Sequence, residues 1–188
     1  VTIKKTDFKN DEILMSARRF GGQNNYGLDD KYNATYATQA ITSMGIGEFS
    51  PTDLRKALTG KVANVSPLFS PVTEGFRGNS SVKDFETMLQ LVNLYVYEPR
   101  KDTSLYKSFI QKSKSQTAFM MANPQTAFID TLYTTMYGNN PLAPVAVPKA
   151  AYYDKVNLER VLAIYKERFG DMSGMHFTFV GSLPKDTT

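Results

Sequence analysis

One histidine and no cysteine leave this 188-residue chain little material for a reactive centre. The missing cysteines exclude disulfides, thiolate metal sites, iron–sulfur clusters and a thiol nucleophile. A catalytic zinc draws two or three of its protein ligands from His or Cys, more than His176 alone can supply. His176 falls in a run where Met175, Phe177 and Phe179 alternate with His176, Thr178 and Val180, and no G-x-S-x-G elbow occurs. It reads as a structural histidine within a strand, with no second imidazole to share acid–base work.

The other candidates read structurally too. Gly45-x-Gly47 and Gly75-x-x-Gly78 lack the strand–GxGxxG–helix and GxxxxGK[ST] contexts of phosphate loops, and read as a helix ending and a hairpin turn. Asp29-Asp30 stand just before a helical pattern, where carboxylates cap free N–H groups and favour the dipole, so they read as caps rather than a catalytic pair. Phe85, Tyr95 and Tyr97 sit at core spacing, unlike a base-stacking platform. The net charge of +4 is too dispersed to demand a nucleic acid. The densest basic stretch, Arg100, Lys101, Lys107, Lys112 and Lys114, broken by Asp102, reads as a solvated helix face.

The elements that must position these residues follow from periodicity. Thr2 to Phe8 and Glu12 to Phe20 read as two strands joined by a tight Asn10-Asp11 turn and closed by Gly21-Gly22. A helix from about Asp30 to Met44 carries Ala37, Ala40, Ile41 and Met44 at i, i+3, i+4 and i+7. A short helix opens at Ser50-Pro51-Thr52-Asp53 and runs to Gly60. Val62 to Phe69 and Val72 to Arg77 form a hairpin punctuated by Gly78-Asn79-Ser80-Ser81. Ser81-x-x-Asp84 resembles a capping box before a helix whose inward stripe is Phe85, Met88, Leu89, Val92, Tyr95 and Val96, stopped by Pro99.

Two further helical patterns carry Leu105, Phe109, Phe119 and Met120, then Phe128, Leu132, Tyr133 and Met136 after Asn123-Pro124. Residues 139–151 read as an extended surface crossing. A last helix carries Val156, Leu158, Val161, Leu162, Tyr165 and Phe169, with Gly170 at C′, and a final strand follows. Hairpins in front with consecutive helices behind predict an α+β fold, an antiparallel-rich sheet with helices on one face. No low-complexity linker divides it, so residues 1–188 read as a single domain. Starting at Val1 inside a strand and ending at Pro184-Lys185-Asp186-Thr187-Thr188, the chain reads as a piece of a longer one.

An ordered set of segments carries a resemblance. It begins at Lys5-Thr6-Asp7-Phe8-Lys9-Asn10-Asp11-Glu12-Ile13-Leu14 with Gly21-Gly22, and continues through Gly45-Ile46-Gly47-Glu48-Phe49-Ser50 and Asp53-Leu54-x-Lys56-x-Leu58-x-Gly60-Lys61. The strongest piece is Glu74-Gly75-Phe76-x-Gly78-x-Ser80-Ser81-x-Lys83-Asp84-Phe85-Glu86-Thr87-Met88-Leu89-Gln90-Leu91, running on to Leu94-Tyr95 and Pro99-Arg100-Lys101-Asp102. Tyr165-x-Glu167-Arg168-Phe169-Gly170-Asp171 and Phe177-Thr178-Phe179-Val180-Gly181 complete it. The set resembles the pitrilysin/insulinase family of zinc metallopeptidases, most closely a non-catalytic third domain of long bacterial members.

The resemblance implies a pitrilysin/insulinase-type metallohydrolase domain that lacks its last helix, leaving apolar groups of the final strand or the neighbouring helix uncovered. In the family, a catalytic domain holds zinc through an inverted H-x-x-E-H motif, on the first long helix after the strand pair, and a distal Glu. Here that helix, about Asp30 to Met44, has no His and no Glu, so no catalytic, cofactor-binding or metal-ligating residue is carried over. Nor is a substrate-contacting role for Arg18, Arg19 or Tyr36. The implied function is a catalytically inactive domain of a metalloendopeptidase that walls a peptide chamber and supports the catalytic half. Zinc would reside in another domain of the parent chain. Its partners would be peptides or small proteins and other domains of the same polypeptide, with no nucleic acid and no membrane span. The bacterial resemblance favours a periplasmic or envelope location. A stand-alone binding or scaffolding module of the same fold is the alternative.

Overall fold

The computed structural model describes residues 1–138 and 140–183; the terminal Pro184–Thr188 stretch and Asn139 lie outside them. Five strands form one sheet in the order β1-β5-β2-β4-β3: β1 (Thr2–Lys5), β2 (Ile13–Phe20), β3 (Ala63–Phe69), β4 (Thr73–Ser80) and β5 (His176–Gly181). Every neighbouring pair is antiparallel except β1 and β5. The two opening strands therefore do not form a hairpin, because β5 lies between them. The side chains supply the reason. All four β1 residues are exposed, so β1 has nothing to bury and suits an edge. β5 brings Phe179, buried, and Phe177, half-buried, to the face that must be covered.

Alternation along β2 sends Ile13, Met15 and Ala17 inward and Leu14 and Arg18 outward. β3 is the other edge, where Pro67 is tolerated because one side of the strand needs no ladder N–H. β4 runs to Ser80, so Gly75 and Gly78 lie inside a strand and not in a turn. A Cβ on Gly78 would sit 3.0 Å from the Met15 terminal methyl and 3.1 Å from the Met88 sulfur; the missing side chain lets a helix approach the sheet here.

The described residues form seven helices, six of them at the expected periodicities: α1 (Lys31–Met44), α2 (Pro51–Ala57), α3 (Phe85–Tyr97), α4 (Thr103–Met121), α5 (Pro124–Tyr137), α6 (Ala150–Tyr153), which the sequence does not show, and α7 (Leu158–Phe169). The small residues Ala34, Ala37 and Ala40 on α1 are fully buried, and α1 packs closely against α7. Phe169 of α7 meets Phe76 edge-on at 5.4 Å and Phe69 at 5.8 Å, and stacks with Tyr165 at 4.6 Å; the Tyr165 hydroxyl donates to the Tyr95 carbonyl at 3.0 Å. This aromatic group is the centre of the core. α7 ends at Gly170 with φ −71°, so its terminus has no left-handed C′ residue. The surface crossing is irregular through Lys149 and then enters α6.

The inward stripe of α3 consists of Met88, Leu91, Val92, Tyr95 and Val96, with Phe85 half-buried. Leu89, expected in that stripe, is 39% exposed while Leu91 is 5% exposed. The buried stripe centres on the Met88–Val92–Tyr95 line, and Leu89 lies a quarter turn to one side. Ser81 and Asp84 pair as the capping-box pattern implies: the Asp84 amide donates to the Ser81 hydroxyl at 3.2 Å, and the Asp84 carboxylate accepts from that hydroxyl at 2.7 Å. The carboxylate also accepts from the Val62 amide at 2.8 Å, tying the helix entry to the residue that precedes β3. The apolar residues Phe119, Phe128, Leu132, Tyr133 and Met136 are exposed, and no residue of α5 is buried. The apolar side chains of β5, by contrast, are largely covered. Leu91→Ala should cost about 2–5 kcal/mol and Leu89→Ala less than about 1 kcal/mol in urea unfolding. Equal costs at the two positions would contradict this placement of α3.

Candidate functional site

The strongest concentration of charge lies at the end of the sheet where β2, β4 and α7 meet. Glu74 is 1% exposed. Its carboxylate accepts from Arg19 Nε at 2.7 Å, Arg168 Nε at 2.8 Å, Arg168 Nη2 at 2.9 Å and the Gly22 amide at 3.0 Å. Arg19 stands opposite Glu74 in the β2–β4 register and also donates to the carbonyls of Asp171 at 3.0 Å, Ser173 at 2.9 Å and Arg168. Gly21, at φ +151°, is required by this cluster: a Cβ there would lie 2.4 Å from the Arg168 guanidinium and 2.9 Å from the Glu74 carboxylate. Burial alone would raise the Glu74 carboxyl; hydrogen bonds from Arg168, Arg19 and Gly22 outweigh it and hold the group below its ordinary 4.5.

A second pair joins the start of α1 to α7. Asp30 does not cap α1 with its side chain. It takes a bidentate contact from Arg160, 2.8 Å to Nε and 2.6 Å to Nη2, and a 3.3 Å bond from Asn33, which hold its carboxyl below the ordinary range. Beside it an open groove of about 630 Å³ is lined by Gln23, Asn24, Tyr26, Lys31, Thr35 and the 142–145 segment. Two of its polar side chains are already committed, and the buried Tyr26 hydroxyl has no hydrogen-bond partner among the described residues. Lys31 donates to the carbonyls of Pro141 at 2.8 Å and Ala143 at 2.6 Å. Burial, then the nearby Glu167 carboxylate, pushes the Tyr26 phenol up to about 12, far from a base at neutral pH.

The remaining sequence candidates are dispersed. His176 begins β5, exposed, with Nε2 2.9 Å from the Thr2 hydroxyl, rather than lying among apolar neighbours. Asp29 lies in a 3-10 turn ahead of α1. Gly45 and Gly47 end α1 and flank Ile46, which bridges to Phe49 and Pro99. In the basic stretch, Arg100 pairs with Asp102, Lys101 with Glu159 and Lys114 with Asp154. Arg18 projects to the open face of the sheet, and Tyr36 is buried against Tyr153 at 4.4 Å. Arg19, unassigned from sequence, is half of the clamp on Glu74. The inward face of α1 carries Asn33, Ala34, Tyr36, Ala37, Ala40, Ile41 and Met44, without a carboxylate or imidazole. Among the described residues no three His, Cys, Asp or Glu side chains converge as a metal site. The charged clusters fasten elements together.

This architecture recurs in solved proteins. Over 97% of the chain it overlays the periplasmic protease PqqL from Escherichia coli, with a TM-score of 0.73 and 16% identity. A peptidase M16 inactive domain from Pseudomonas fluorescens overlays 97% of it at a TM-score of 0.75 and 14% identity. The chain has the M16 peptidase-domain fold. The ferredoxin protease FusC, in complex with Arabidopsis ferredoxin, overlays 93% of it at a TM-score of 0.67 and 15% identity. The chain spans 20% of PqqL, 19% of FusC and 44% of the Pseudomonas chain. No family model and no curated protein matches it by sequence.

Glu74→Ala should destabilise the M16-type domain by about 3–5 kcal/mol, since two guanidiniums lose the charge they face. Because the folded carboxyl titrates below its unfolded value, its stabilisation is present above about pH 4.5 and lost as pH falls through the folded value. Glu74→Gln should therefore flatten the fall in urea midpoint between about pH 5 and about pH 3; an unchanged slope would place the acid sensitivity elsewhere.

Proposed function

We propose that the chain is a catalytically inactive domain of a zinc-dependent metalloendopeptidase, which helps enclose peptide substrate and hold the catalytic half in place. One observation carries this reading: the M16 domain fold is present while α1, the helix matching the zinc-motif helix of the resemblance, turns alanines, Ile41 and Met44 inward and has no His or Glu. Zinc, the Lewis acid that would polarise the scissile carbonyl and activate water, would sit in another domain of the parent polypeptide. The chain spans under half of the solved chains it overlays, which is in keeping with a domain working beside others. Substrates would be peptides or small proteins; a neighbour of this fold is seen with ferredoxin, a protein. A periplasmic or envelope setting is supported by the periplasmic PqqL. No described helix is long and apolar enough to cross a membrane.

After dialysis, metal analysis should find far less than one zinc per chain, and peptide libraries should remain uncleaved. Added to a separately produced catalytic half carrying H-x-x-E-H, the chain should raise peptide hydrolysis, with kcat/KM recovering at least about tenfold. Stoichiometric zinc with hydrolysis by the chain alone would overturn the inactive-domain reading, and a catalytic half indifferent to the chain would overturn the supporting role.

A further inference from the structure

One face of the sheet carries the helices; the other is open, and its charge is of one sign. Along β2 the outward positions are Leu14, Ser16, Arg18 and Phe20. The register sets Arg77 of β4 opposite Ser16, and His176 of β5 opposite Arg18. Parallel pairing brings Lys4 of β1 beside Val180 on the same face. No outward position of the five strands holds an Asp or a Glu. Among the described residues Lys4, Arg18 and Arg77 form no ion pair, whereas Arg19, Arg100, Arg160 and Arg168 each meet a carboxylate. Glu12, at the rim of the face, is held by Lys9 at 3.0 Å.

Arg18 and Arg77 are diagonal neighbours across β2 and β4, with Cβ atoms about 7 Å apart, so their like charges repel with nothing between them. The surface around them is concave. A depression of about 460 Å³ lies over Leu14, Ser16 and Val180, and a second of about 260 Å³ lies beside Leu68 and Gly75. Arg18 lines both, and Arg77 lines the first.

We propose that this face binds an extended peptide segment through a carboxylate seated between Arg18 and Arg77, with apolar side chains of the same segment in the two flanking depressions. One carboxylate has the lone pairs to accept charge-assisted hydrogen bonds from both guanidiniums. Alternate side chains of an extended chain project to one side, so the order of features selects the pattern apolar–x–acid–x–apolar. The composition of the face disfavours other occupants. Single-stranded nucleic acid is held by several stacked aromatics, and Phe20 is the one aromatic at an outward strand position. A domain docked here permanently would strip water from Lys4, Arg18 and Arg77, and Leu14, Leu68 and Val180 are too few among Ser, Thr and Asn to make the apolar centre of a lasting interface. A peptide leaves the guanidiniums partly in water and brings its own carboxylate. The proposal rests on the peptide-enclosing reading and adds the chemistry of the segment enclosed.

Calorimetric titration with the end-blocked peptide Ala-Leu-Ser-Glu-Ser-Leu-Ala should give saturable binding, with a Kd on the order of 10–500 µM. Counterparts with Gln or Lys in place of the Glu should bind at least about tenfold more weakly. Arg18→Gln and Arg77→Gln should each weaken the acidic peptide by at least about tenfold. Neither should lower the melting temperature, because removing one of two like charges relieves repulsion. Lys107→Gln, on the exposed side of α4, should bind as the parent does. Arg18→Glu combined with Arg77→Glu should turn the preference toward the Lys peptide. Equal binding of the Glu, Gln and Lys peptides would overturn the proposal, as would arginine variants that bind like the parent. So would an oligonucleotide that binds these arginines more tightly than the peptide, or peptide binding abolished by adding a zinc-free catalytic half, which would make the face an interdomain contact. A chain that stimulates the catalytic half yet binds no acidic peptide would remove this proposal and leave the peptidase reading; acidic-peptide binding without stimulation would do the reverse.

Discussion

A carboxylate withdrawn from water must be matched by cations, and Glu74 sets that requirement for this fold. Its two guanidinium partners come from β2 and α7, 55 and 94 residues away, and its amide partner follows the end of β2. Satisfying it fixes the height of α7 against the sheet and the path of the 168–173 segment, whose carbonyls take the remaining Arg19 donors. It also determines which residue can stand at position 21. The aromatic core formed by Phe69, Phe76, Tyr165 and Phe169 packs beside it, so apolar burial and charge pairing specify the same docking of α7.

Local pattern made part of this legible. The helical periods of α1, α3 and α7 predict their burial well, because an amphipathic face is a property of neighbours along the chain. Sheet order is not such a property. A turn-like Asn10-Asp11 between two extended runs favours a hairpin, whereas the apolar Phe177 and Phe179 suit β5 to an interior position beside β2 and leave the exposed β1 at the edge. The Glu74 cluster escaped for a related reason: a lone Glu before a Gly in a strand reads as a surface residue until its partners are brought in from distant segments. The Gly21-Gly22 pair was the available signal, as adjacent glycines mark close approach as readily as a turn. At α5 the sequence shows an apolar face but not which side of it meets the domain.

The lack of His and Glu on α1 has a structural counterpart. On α1 the positions facing the core hold alanines and Asn33, whose side-chain oxygen accepts from the Asn157 amide at 2.8 Å at the start of α7. Small side chains bring α1 and α7 together, and the Asp30–Arg160 contact secures the same junction. The core-facing side of α1 is thus a packing surface.

The parallel pairing of β1 with β5 joins Thr2 to Thr178 and Lys5 to Gly181, nearly the two ends of the described chain. During synthesis β1 and β2 emerge first, and the gap between them must remain open until the last strand arrives. The strand between the edge β1 and the central β2 is consequently the last of the sheet to be synthesised, after every described helix. Loop-closure entropy makes such distant pairings slow to form. Until then β1 has no partner and β2 keeps one unpaired edge, the kind of edge most exposed to mispairing.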